Sequence, residues 1–527
     1  ELFLPPRENP PNPTFITTRE PDQVWSTGIQ GSGGGFNDRS PDAQDCFYIM
    51  NALPGSPELA RGLVRNYLTG QQEDGFVHWK AGETHKSSWL AAPLLAGMAW
   101  KSHQRSPDRD FLAEVIPGLE KFLKCWLNKE HDRDGDGLPE WDHPLQAGME
   151  ETLLTGGQAD PSRGDITCVE TPALGAMLHH EFQALAGMAR ELGMVEKAEE
   201  LEMTASHLGE VVEECRDEGK MRYRLRDRDS HHSPAGKLLA RKTGSGDQDI
   251  YVSFPQPTRL VLVASLSHTG RRNLEVRLSG RNAEGSVTEI LSHQAFHWFL
   301  ENGSATSRTL YSGLDALQVE GLGKKDKLVV RVMDFETGTA SLFLPLWAQI
   351  PAFERAEKII KRHLLEGKRF FHLFGIPSAP VKGKVKAKEA EIVALPWNAM
   401  IAEGLAGYGF HDAAVHLLGR MMGAVVANLK QQGSFRQYYD SRTGAGRGER
   451  NAVQGLAPLG SFLRILGVEF CPPGRVVLSG KNPYPWPVTV KYRGIIVTRQ
   501  EDGTEVTFPG GQSITLRDPT DAVVEAE

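Results

Sequence analysis

The spacing of apolar residues changes period along this chain, and that alternation limits the possible folds more than any other feature. Apolar residues recur at three- and four-residue spacing in six stretches, 42–53, 57–71, 86–103, 109–130, 170–192 and 195–216, joined by short polar links. Short links between helices produce antiparallel pairs. From Met221 to Phe343 the spacing becomes two, as in YVSF, RLVLVASLS, LEVRLSG, LVVRVMDF and ASLFLPL, with Gly, Asn and Asp between runs. Helical spacing returns in 353–365, 394–408, 411–430 and 451–466, so the strands interrupt a helical body instead of following it. From Arg475 onward VVLSG, VTVKY, GIIVTRQ and TEVTFPGG alternate again. Helix pairs in series stack as a solenoid or close on themselves, and the lack of a strict repeat of roughly 33 to 45 residues favours closure. The expected organisation is an irregular arm over 1–35, rich in Pro and Gly, a first helical half over 36–220, a β-module over 221–343, a second helical half over 344–470 and C-terminal strands over 471–527.

Composition narrows the partners. Hydrophobic residues at 40% and charged residues at 24% are globular values, and 527 residues are ample for a large core. With a formal net charge of -8 and no Lys/Arg stripe, nucleic acid is not an expected partner. No apolar run reaches the roughly eighteen residues of a membrane span, and no leader pattern is visible, so no membrane partner is expected either. Cys46, Cys125, Cys168, Cys215 and Cys471 form no CxxC pair and suit reduced thiols, which leans toward a cytoplasmic setting without excluding export. Asn302-Gly-Ser is a sequon only in an exported chain. VKGKVKAKEAE at 381–391 reads as a solvated surface loop.

The segment from Asp132 to Thr152, DRDGDGLPEWDHPLQAGMEET, concentrates carboxylates between two helical patterns. Asp132, Asp134, Asp136 and Gly137 occupy positions one, three, five and six of a calcium loop, which makes calcium the candidate ion and the three aspartates its candidate ligands. Position twelve is His143 instead of a bidentate Glu, so a further ligand must come from elsewhere. Asp-Gly pairs also close ordinary turns, and both readings stand. Glu150 and Glu151 end the stretch; a carboxyl near Trp141 becomes a general acid if its pocket desolvates it. His179 and His180 read as packing or surface residues, and no metal role is expected for His231 and His232.

Six ordered segments, SPELARGLVRNYLTGQQEDG (56–75), DRDGDGLPEW (132–141), LHHEFQALAGMARELG (178–193), LFLPLWAQIPAFERAEKIIKRHLL (342–365), FGIPSAP (374–380) and YYDSRTGAGRG (438–448), resemble the six-hairpin glycoside hydrolases, nearest the processing α-glucosidase I and mannosylglycerate hydrolase branch. GGGFNDRSPDAQD (33–45) is similar to a segment of cellobiose and chitobiose phosphorylases, which share that architecture. The resemblance implies a mainly α fold, a six-hairpin α/α toroid carrying the inserted β-module and a short C-terminal β-sheet. It also implies an oligosaccharide or glycoside substrate, cleaved with inversion between two carboxyl groups. The branch resemblance leans to α-glucosidic or α-mannosidic linkages.

Residue roles follow from the same resemblance. QAGMEET (146–152) falls where the branch carries its acid, which puts Glu150 on that position, with Asp142, Glu151 and Glu170 as alternates. FRQYYDSRTG (435–444) sets Gln437 where the branch has its basic Glu, and an amide cannot accept a proton. Three readings stay open: Asp440, or Glu449, serves as base; phosphate replaces water as nucleophile; or the protein binds sugar without cleaving it. Asp38, Gln44 and Asp45 match sugar-contacting positions, although Ser40 and Asp42 also read as the cap of a helix. His78 and Trp79 in QEDGFVHWK, and Trp397 in ALPWNAM, complete the candidate substrate contacts.

Overall fold

The computed structural model describes residues 3–4, 15–16, 42–80, 89–144, 146–147, 164–268, 273–299, 301–336, 338–366, 370–380, 391–472, 474–517 and 521–526. The N-terminal arm is therefore described only where Phe3–Leu4 pairs with Phe15–Ile16.

Local chemistry sets the helices. In α1 (Ala43–Ala52) the Asp42 carboxylate caps the first turn by accepting the Asp45 N–H. After α2 (Pro57–Thr69) and α3 (Leu95–Arg105), α4 (Arg109–Trp126) is capped by Asp108 and buries Phe111, Leu112, Val115, Ile116, Leu119, Phe122 and Leu123 along one face. α5 (Pro172–Glu191) starts on a Thr171 cap with Pro at its first position, and pairs with α6 (Val195–Glu214). After the β-module come α7 (Leu344–Trp347), α8 (Phe353–Ile359), which runs on as a π-turn to Leu365, α9 (Leu395–Gly407), α10 (His411–Gln432) and α11 (Ala457–Leu466). Gly433 and Gly467, at φ 62° and 68°, end α10 and α11 in the left-handed conformation that glycine adopts without strain.

The odd-numbered helices pack in cyclic order: α1 on α3, α3 on α5, α5 on α7, α7 on α9, α9 on α11, and α11 back on α1. Between α3 and α5 the contact is partly polar. The fully buried Glu181 of α5 accepts the Ala96 and Gly97 N–H groups at 2.6 and 2.9 Å, filling donors that α3 leaves open at its first turn.

The inserted module spans Leu238–Val332 as two antiparallel sheets of four and five strands around its own apolar cluster, including Leu260, Leu262, Val276, Leu317 and Val330. Arg259 joins it to the helical body by donating to Asp227 at 2.7 Å. Near the C terminus a three-stranded sheet (Val468–Cys471, Arg475–Ser479, Asp521–Glu525) and a four-stranded meander from Val488 to Arg517 follow α11. Arg499 is fully buried and donates to the Gly467, Ser479 and Gly480 carbonyls, tying the meander to the end of α11.

Two expectations change. The chain is 39% helix and 29% strand, mixed instead of mainly α, because the inserted and C-terminal sheets together rival the helices. ASLFLPL, which alternates like a strand, is a 3-10 turn (Ala340–Phe343) running into α7, buried on all sides between α5 and α9. Burial all round removes the polar face by which a helical period is recognised. No helix of the described residues is long and apolar enough to cross a membrane.

Candidate active site

The starts of α1 and α9, the strand Arg436–Asp440 and the loop residues 77–80, 89–91, 141–144 and 146–147 carry the polar and aromatic candidates. Because Asp42 caps α1, Gln44 and Asp45 are released from capping; both are buried in its first turn. Gln44 Nε2 donates to the Gln146 carbonyl at 3.4 Å, and Gln146 Nε2 donates onward to the Leu90 carbonyl at 2.7 Å and to Asp142 Oδ2 at 3.1 Å. Trp79 and Trp89 lie 5.3 Å apart, and Trp89 stacks on His143 at 3.8 Å. Burial holds the His143 imidazole down to about 4, helped by His297 of the inserted module, so this ring is neutral at pH 7. The module therefore borders the region.

The opposite wall comes from residues some 350 positions later. The 3-10 turn Val453–Leu456 packs on α1, α9 and the strand Arg436–Asp440, the elements that carry Gln44 and Asp45, Trp397 and Gln437. Trp397 is buried, and its indole N–H has no hydrogen-bond partner among the described residues. Asp440 is the last residue of its strand. Its Oδ1 accepts the Arg442 and Thr443 N–H groups at 3.1 and 2.9 Å, and its Oδ2 takes Arg447 at 2.5 Å. Burial opposes ionisation there, but those donors prevail and hold the carboxyl below its usual value. The hairpin pairs Arg436 with Arg450 and Tyr438 with Arg447, and its register shifts between these pairs.

On the acidic loop, Asp132 accepts the Gly135 and Gly137 N–H groups at 2.9 and 3.1 Å. Asp134, Asp136, Glu170 and His231 instead bring one donor atom each within 4.8 Å of one another. Arg226 donates to both Glu170 and Asp136. Glu170 is fully buried, burial pushes its carboxyl up to about 10, and its Oε1 lacks a hydrogen-bond partner among the described residues.

Residues 41–246 match the mannosylglycerate hydrolase MGH1-like glycoside hydrolase domain. The chain carries a glycoside hydrolase domain. The fold agrees with that of the GH63 mannosylglycerate hydrolase from Thermus thermophilus in complex with Tris, at 15% identity, 83% of this chain, 96% of that one and a TM-score of 0.52. The same enzyme with Tris and D-glycerate gives 16% identity over 82% and 95% of the two chains, with a TM-score of 0.52. An uncharacterised conserved protein from Thermus thermophilus gives 16%, 83%, 95% and 0.51. No curated protein matches by sequence.

In this hydrolase the sequence-derived candidates separate into groups. Gln44 and Asp45, Trp397 and Gln437 lie on elements that pack on the Val453–Leu456 turn, Trp79 packs on Trp89, and His78 lies 3.4 Å from Gln72. Asp38, Glu150 and Glu151 lie outside the described residues. Asp142 is held by His131, Arg133 and Gln146, which outweigh its burial and keep the carboxyl low, a poor state for an acid. Asp132 lies outside the cluster of Asp134, Asp136, Glu170 and His231, and each of its oxygens accepts a backbone N–H of its own turn. His231 is corrected from bystander to a member of the carboxylate cluster. Sequence reading missed Trp89 and His143. Trp89 was absorbed into an expected helix over 86–103 that begins only at Leu95, and His143 registered only as a missing Glu.

Proposed function

We propose that this hydrolase is an inverting, exo-acting glycosidase on α-glucosidic or α-mannosidic linkages, built as a six-hairpin α/α toroid. The cyclic order of α1, α3, α5, α7, α9 and α11 supports the toroid. What carries the function is that the elements bearing Gln44 and Asp45, Trp397 and Gln437 all pack on the Val453–Leu456 turn, which supplies amides, a carboxylate and an indole for sugar hydroxyls.

In this reading Glu150 protonates the leaving oxygen while a second carboxylate, about 6.5–9.5 Å away, activates water on the opposite face of the ring. Asp440 suits that second role poorly, since bound donors already stabilise its charge and weaken it as a base. We assign the base to Glu449, the other carboxylate of the 437–449 segment. Asp440 then positions the hairpin. Nitrophenyl α-glucoside and α-mannoside, with the first-released anomer read by NMR, test the reaction: inversion gives the β-sugar, and an α-sugar as first product overturns it. Loss of turnover in Glu449→Gln with retention in Asp440→Asn is the expected pattern, and the reverse returns the base role to Asp440. Gln437 also favours a second reading, phosphorolysis, which requires a sugar phosphate as product and no turnover in phosphate-free buffer.

We further infer that calcium binds at Asp134, Asp136 and Glu170. Three carboxylates suit a hard divalent ion, and the buried unpartnered Glu170 Oε1 faces the cluster, with the exposed His231 at its rim. Calcium at about a hundred times its dissociation constant contributes ~2.7 kcal/mol. For a chain of this length that raises the melting temperature by about 2–3 °C. An unchanged melting temperature on chelation and calcium addition would remove the ion from the site.

A further inference from the structure

A cavity of about 480 Å³ lies between the later parts of α1, α3, α5 and α11 and the strands 468–471 and 475–479. It is distinct from the region above. None of its lining residues is among Gln44, Asp45, Trp79, Trp89, His143, Trp397, Gln437 and Asp440.

The walls combine two chemistries. Phe47, Trp100, Leu463 and Val468 supply an apolar side. Lys101, Arg105 and Arg464 supply positive charge, with Gln104, Gln183 and Ser479 as neutral hydrogen-bonding groups. Each arginine already has a carboxylate: Arg105 pairs with Glu469 at 2.9 Å and Arg464 with Glu403 at 2.7 Å. Lys101 has neither ion pair nor hydrogen bond among the described residues. Three cations thus face two carboxylates, and one positive charge is left over. His180 also lines the cavity; its ring stacks on Trp347 at 4.3 Å and its buried Nδ1 has no hydrogen-bond partner among the described residues.

We propose that this cavity binds a small organic oxyanion, a phosphate monoester by its chemistry. Guanidinium forks and a lysine point charge are the groups that hold phosphate oxygens, the apolar side accepts a carbon body, and the volume is that of a metabolite-sized pocket. The cavity's charge is poised for such a ligand. Burial, then Arg464 and Arg105, pull the Lys101 pKa down to about 7 against the opposing pull of Glu403 and Glu469. An anion reverses that balance, so binding takes up a proton and weakens as pH rises from about 7 to about 9, where a phosphate monoester stays dianionic.

Calorimetric titration of the full chain with glycerol phosphate, inorganic phosphate and glycerol tests this. Expected results are tighter binding of glycerol phosphate than of inorganic phosphate, no binding of glycerol, and proton uptake at about pH 8. Lys101→Met, which keeps the volume, is expected to weaken glycerol phosphate at least tenfold, and Lys101→Arg to retain it. Unchanged affinity in Lys101→Met overturns the proposal, and equal affinity for the two phosphates overturns the monoester assignment. The wild-type melting temperature gives a readout free of any variant: no rise with glycerol phosphate, beyond that seen with chloride at equal ionic strength, also overturns it. Lys101 lies away from the glycosidase region, so turnover of the nitrophenyl glycosides is expected to survive both substitutions.

Discussion

Glu150→Gln is expected to lower hydrolysis of an unactivated α-glycoside by about a hundred- to ten-thousandfold, the usual contribution of a positioned general acid. The loss should fall on kcat and kcat/KM together, because the proton is shared only in the transition state. A dinitrophenyl glycoside supplies the control. Its leaving group departs as a stable anion and needs no proton, so the same variant should lose much less on it. A uniform loss on both substrates would point to a misplaced or unfolded loop, and an undiminished rate on the unactivated substrate would remove Glu150 from the chemistry.

Arg259→Met should produce the largest loss of stability. Arg259 and Asp227 are 2% and 1% exposed, and the guanidinium also donates to the Ser307 and Arg308 carbonyls at 3.2 and 2.8 Å. Removing it leaves the buried Asp227 Oδ2 and two carbonyls without their donor at the joint between the module and the helical body, while Oδ1 keeps the Asp229 and Ser230 N–H groups, a cost of about 3–5 kcal/mol. If the chain melts as one unit, the midpoint falls by about 3–5 °C; if the module of roughly a hundred residues melts separately, its own transition falls by about 15–25 °C. Calorimetry separates the two cases. A loss under about 1 kcal/mol would show that Asp227 finds other partners, and pairing the change with Asp227→Leu should recover part of the loss because no unpaired charge remains.

Elements set by near neighbours were legible before any coordinates. Asp108 and Thr171 announce the starts of α4 and α5, and the nine helices expected outside 86–103 lie within a few residues of their expected bounds. Legibility stopped where burial erased the pattern, as in α7, or where one residue type serves two ends. An aspartate in DRDGDG closes its own turn or reaches for a distant partner, and the sequence reads alike for both. Asp132 does the first; Asp134 and Asp136 do the second, meeting Glu170 and His231 from up to 97 positions away.

The sequence by itself determined the helix pairs, the inserted strands, the family resemblance and the residue types available for glycoside chemistry. These depend on period, capping and composition, which act over a few residues. Only the tertiary structure decided that Asp440 is held by the N–H groups of the turn after it and by Arg447, that Asp134 and Asp136 meet Glu170 and His231, and that Lys101 faces a cavity with no carboxylate of its own. Those outcomes rest on which distant segments meet when the helices pack, and on which charged groups then find partners.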